Sequence, residues 1–145
     1  MSGMEEDIIV VKLKDGEDIL DSLRKKMNIH HVRSGLILSG IGMVRELTLG
    51  YFKGHGEYET IEETGPVELT SMQGNIAEAE QGIVFHIHIT GATGQGEVVG
   101  GHLISATTNV VNEIVVVKLD RIRLDRTLNP ETGLLELSVS DRSKQ

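Results

Sequence analysis

His86 and His88 stand two apart in Ile83-Val84-Phe85-His86-Ile87-His88-Ile89-Thr90, a run whose other members are largely apolar and β-prone. That alternation is the pattern of a half-buried strand, so both imidazoles leave the same face. On a strand rising about 3.3 Å per residue their roots lie roughly 6.6 Å apart, and two ring nitrogens can then share one cation at about 2.1 Å. Two solvent-facing imidazoles would explain the pair alone equally well, but His102 shifts the balance. If Gly91-Ala92-Thr93-Gly94-Gln95-Gly96 reverses the chain, the segment Glu97 to Thr107 runs back beside the first and carries His102 to the pair. Three neutral imidazoles make an open zinc site, with a fourth position for water, a small-molecule oxygen or a neighbouring subunit's carboxylate.

Other chemistries fit the residues less well. His30 and His31 end a helical segment, where an imidazolium complements the helix dipole and adjacent side chains diverge. His55, between two glycines, belongs to a hairpin turn and receives no role. A zinc protease needs two histidines four apart on a helix, a spacing that a strand does not provide. Gly94-Gln95-Gly96-Glu97-Val98-Val99-Gly100-Gly101 is out of register for a dinucleotide fingerprint and has no phosphate-loop lysine, and no Gly-x-Ser-x-Gly occurs. Cupins share a His-x-His strand but follow it with a glutamate four or five residues on, where this chain has Ala92 and Thr93. A cupin-like site remains a lesser alternative.

The elements that must position these residues are mostly short and β-like. The 145 residues suit a single domain, 1–145. Asp7 to Leu13 reads as a strand, and Asp18 to Met27 as the only convincing helix, with Ile19, Leu20, Leu23 and Met27 as its buried stripe. Further strands are expected at Leu36 to Ser39, Val44 to Phe52, Tyr58 to Glu63, Val67 to Gly74, Ile83 to Thr90, Val98 to Thr107, Asn112 to Leu119 and Leu134 to Val139. Turn signals between them, such as Lys53-Gly54-His55-Gly56 and Pro130-Glu131-Thr132-Gly133, favour antiparallel connections. Ser39-Gly40-Ile41-Gly42 reads as a bulge or sharp turn. The class is α+β, a largely antiparallel sheet with one main helix, and Asp141 to Gln145 reads as a disordered tail.

Composition limits the partners. A formal charge of −8, from 22 acidic against 14 basic residues, opposes a nonspecific hold on nucleic acid. The most basic stretch, Lys118 to Arg126, interleaves its cations with Asp120, Asp125 and apolar residues, as an exposed strand face does. The absence of cysteine removes disulfides and thiolate ligands, and a cytoplasmic location is expected. No apolar run approaches the roughly 20 residues of a membrane span, so neither a membrane nor a targeting segment is expected.

Four segments in order carry a family resemblance: Ser39-Gly40-Ile41-Gly42-Met43-Val44, Gly65-Pro66-Val67-Glu68-Leu69-Thr70-Ser71-Met72-Gln73-Gly74-Asn75-Ile76, His86-Ile87-His88 and Val98-Val99-Gly100-Gly101-His102-Leu103. Together with Pro130-Glu131-Thr132-Gly133-Leu134, they resemble the plants and prokaryotes conserved (PPC) domain, a family of unknown function, in its stand-alone prokaryotic form. The resemblance implies a homotrimer and a metal, zinc, on His86, His88 and His102. Plant members place the domain after DNA-binding AT-hooks, and this chain has none. The plant partner-recruiting segment resembles Gly65 to Thr70 but carries arginine and phenylalanine where Pro66 and Val67 stand here, so these residues read as structural.

Three functions follow as expectations. The first is a trimeric zinc-binding protein that leaves room for a small-molecule ligand. The second is a zinc enzyme using the open position, with Glu97 as a conceivable base. The third is a DNA-associated regulator, which the charge disfavours.

Overall fold

The computed structural model describes residues 7–142. The chain forms β1 (Ile8–Lys14), α1 (Ile19–Ile29), β2 (Gly35–Gly54), β3 (Glu57–Glu63), β4 (Val67–Ala79), β5 (Gly82–Thr93), β6 (Val98–Lys118), β7 (Ile122–Leu128) and β8 (Leu135–Asp141). All strands belong to one eight-stranded sheet. Every strand pairing is antiparallel except the single β4–β7 contact at Glu78 and Asp125. The pairs β2–β6, β6–β5, β5–β4 and β4–β2 form a closed circuit, which leaves these four strands an inside and an outside. Ile37, Leu49, Leu69, Met72, Ile76, Ile87, Ile89 and Leu103 are buried in the core.

Helix α1 closes one side of that core. Asp18 caps its start by accepting a hydrogen bond from the Asp21 N–H at 2.8 Å, and Lys25 pairs with Asp21 one turn back at 3.0 Å. Ile19, Leu23 and Met27 are fully buried, with Leu20 partly so, which is the stripe the helical spacing predicts.

Two strands each join two of the expected ones. Leu36–Ser39 and Val44–Phe52 are parts of one strand, β2, because the glycines between them make bulges rather than a turn. At Gly42, φ is +139° and an added Cβ would lie 2.1 Å from the Val111 carbonyl oxygen, so only glycine lets the strand pass. Val98–Thr107 and Asn112–Leu119 likewise merge into β6, which bends at Val110, a β-branched residue held at φ +68°. There the Asp15 carboxylate accepts from the Val110 N–H and from Arg45, both at 2.8 Å.

The expected tail is corrected at its start. Asp141 closes β8 opposite Ile122, and Arg142 donates to Glu78 at 2.6 Å and to Ser34 at 3.2 Å. Residues 143–145 lie outside the described ones. The Lys118 to Arg126 stretch is also more than a solvated face, because its second half is β7, whose Leu124 is buried. No helix among the described residues is long and apolar enough to cross a membrane.

Candidate metal centre

The three histidines share one patch on the outer face of the closed strands. On β5, His86 and His88 alternate with buried Ile87 and Ile89, so the imidazoles point away from the core. The turn at Thr93–Gly96 sends β6 back antiparallel, and the register sets His102 directly opposite His88. Cross-strand partners project from the same face. On the other side His86 stands opposite Asn75 of β4. Gly74 lets those strands lie close, since a Cβ there would come within 2.0 Å of the His86 carbonyl oxygen.

Ring centroids are 4.9 Å apart for His86 and His88, 5.3 Å for His86 and His102, and 5.8 Å for His88 and His102. One nitrogen from each ring lies within 4.8 Å of the others, and the Nε2 atoms of His86 and His88 are 3.1 Å apart. Tetrahedral ligands at about 2.1 Å from a zinc ion are about 3.4 Å apart, so the donor set suits such a cation in number and chemistry, and the His86–His88 pair stands near that spacing. Burial, followed by Arg126, His88 and His102, pulls His86 down to about 4. Burial, then His88 and Arg126, also lowers His102. Both rings are therefore neutral near pH 7, the ligating form.

One neighbour is absent from the sequence reading. Arg126 reaches over from β7, and its Nη2 donates to the Asn75 side-chain oxygen at 2.8 Å and to Nδ1 of His86 at 3.1 Å, while Nη1 donates to the Leu135 carbonyl at 3.1 Å. A guanidinium can only donate, so His86 holds its proton on Nε2 and offers it to His88. Metal-bound histidines usually donate their second nitrogen to an acceptor. A cation on His86 Nε2 thus requires the proton to move to Nδ1 and Arg126 to withdraw from it.

The patch forms the floor of a cleft of about 790 Å³. Phe52 and Tyr58, a cross-strand pair of β2 and β3 with centroids 5.7 Å apart, make one wall, and Tyr58 lies 5.5 Å from His102. Phe85, Leu134, Leu135 and Glu136 line other parts. The β2–β3 and β7–β8 hairpin tips meet across it, where a Cβ on Gly133 would sit 2.6 Å from the Gly56 nitrogen. Glu97 is exposed just before β6 and does not line the cleft, and the carboxylate among the lining residues is Glu136. His30, His31 and His55 are exposed and lie outside the cluster.

The chain is thus an α+β domain, an antiparallel sheet with one helix, that carries a histidine cluster on its outer face. The sequence model of the Plants and Prokaryotes Conserved (PCC) domain matches residues 1–120, and the chain belongs to that family. A metal-containing protein from Archaeoglobus fulgidus has a similar structure, with TM-score 0.81, 29% identity and coverage of 89% of this chain and 91% of that one. A plant- and prokaryote-conserved protein from Pyrococcus horikoshii matches with TM-score 0.80, 26% identity and coverage of 89% and 90%. A Bacteroides thetaiotaomicron protein, whose name assigns it provisionally to DNA binding, matches with TM-score 0.84, 29% identity and coverage of 91% and 92%. By sequence, 133 residues are 27% identical to the bifunctional protein GlmU of a Synechococcus strain, over 91% of this chain but 20% of that protein. The chain spans about a fifth of the length of the curated relatives it matches.

Proposed function

We propose that this protein is a cytoplasmic homotrimer that binds one zinc ion per chain through His86, His88 and His102. The convergence of three ring nitrogens within 4.8 Å of one another carries the reading. The name of the Archaeoglobus fulgidus relative supports it. Assembly is supported by an apolar outer face around β1, β6 and β2, where Ile8, Val10, Leu36, Leu38 and Ile41 are exposed. Cross-strand register joins Ile8, Val117 and Leu36 in one row of that face.

Binding is favoured over catalysis, because a hydrolytic or lyase-type step needs a free base facing the cation. Glu97 lies away from the cleft, and Glu136 accepts a hydrogen bond from the Asn129 side chain at 2.9 Å. DNA binding is opposed by the charge of −8. Elemental analysis of protein purified without chelator is expected to find about one zinc per chain, and the triple variant H86A/H88A/H102A close to none. Metal retained by the triple variant contradicts the assignment. Light scattering is expected to give three times the chain mass, with Val10→Asp shifting the protein toward monomer.

A further inference from the structure

We propose that the cleft over the three histidines takes a small organic acid, its carboxylate paired with Arg126 and its apolar body against Tyr58, Phe52 and Leu134. The proposal rests on the zinc reading for the second cation that the carboxylate would meet.

Four arginines among the described residues are partly buried: Arg45, Arg123, Arg126 and Arg142. Three of them have a carboxylate within 3.0 Å: Asp15 for Arg45, Asp125 for Arg123 and Glu78 for Arg142. Arg126 has none, and its hydrogen bonds go to neutral groups. A desolvated guanidinium without a counter-ion is costly, and a fold that keeps one retains a cation for something not its own. Of the five N–H groups of a guanidinium, three are occupied here, leaving two for an incoming oxygen. Among the described residues, the only acid lining the cleft, Glu136, is engaged by Asn129.

The walls select the rest of the ligand. Tyr51, Phe52, Tyr58 and Phe85, all four of the chain's phenylalanines and tyrosines, line this one cleft. At about 790 Å³ it is in the range of small-molecule sites, which are mostly apolar with a few placed polar groups. Two unoccupied donors on Arg126 match the two oxygens of a carboxylate.

The test compares benzoate with its neutral isostere benzamide by calorimetry on the zinc-loaded full chain, with zinc content measured on the same samples. Benzoate is expected to bind at least ~10-fold tighter, as a charge-assisted hydrogen bond implies. Arg126→Gln should erase that preference without changing zinc content, and Arg126→Lys should keep part of it. Equal binding of the two probes, a preference that survives Arg126→Gln, or inorganic phosphate binding more tightly than benzoate overturns the proposal. If the wild type carries no zinc, the metal reading fails by itself. The same comparison on that zinc-free protein still decides the carboxylate proposal through its dependence on Arg126.

Discussion

Arg123 and Arg126 lie three positions apart on β7, yet their surroundings are opposite. Arg123 holds Asp125 at 3.0 Å and faces Glu78 at 3.5 Å, and Glu78 is also gripped by Arg33 at 2.8 Å and Arg142 at 2.6 Å. Arg126, on the other face of the strand, meets the His86 imidazole and the Asn75 amide. In the first cluster a buried carboxylate ties β4, β7 and the chain's end together, and every charge has a partner. In the second the cation is left open beside rings held neutral. Saturated charge fastens a fold, whereas unsaturated charge at a cleft is available to a ligand.

Removing the centre of the saturated cluster should have the largest effect. Glu78→Gln leaves three guanidinium groups facing one another, and urea unfolding is expected to show a loss of about 2–4 kcal/mol, below the extreme for buried pairs because Arg33 is largely exposed. Zinc content should be unchanged in the surviving folded protein. A loss below about 0.5 kcal/mol would mean that the cluster is decorative.

Acid should act on the other cluster. An unfolded imidazole takes its proton near pH 6.5, whereas His86 in the folded chain resists until about pH 4. Between those values the unfolded state binds more protons, so the stability of chelator-treated protein should fall as pH drops through this window and level off below it. The change should be on the order of 1 kcal/mol after discounting for solvent screening at a part-exposed site. His102 acts in the same direction. His86→Gln should flatten most of the slope, and a slope that persists unchanged would assign it elsewhere.

The smallest effect separates the two arginines directly. Arg123→Gln should lower stability more than the matching change at Arg126, since it strips Asp125 and Glu78 of a cation. Arg126→Gln should stay within about 0.5 kcal/mol of wild type, because relief of desolvation offsets its lost hydrogen bonds. Equal losses in the two variants would erase the contrast.

The same contrast separates what the sequence makes legible from what it hides. His86, His88 and His102 are readable because strand parity and one glycine-rich bend are local signals, and the hairpin they define sets the site's floor. Arg126, Asn75 and Tyr58 come from β7, β4 and β3, and nothing local ties them to the histidines. Arg126 was hidden further by its alternation with Asp125, which imitates a solvated face. The helix and most strands follow from periodicity. The continuity of β2 and β6 does not, because a glycine that makes a bulge and one that makes a turn look alike until the partner strand is known.

Anomalous diffraction at the zinc edge, on crystals of protein purified without chelator, tests the central claim most directly. One peak per chain is predicted, within bonding distance, about 2.1 Å, of a nitrogen from each of His86, His88 and His102. A peak elsewhere, or none in a map that resolves the three rings, would contradict it.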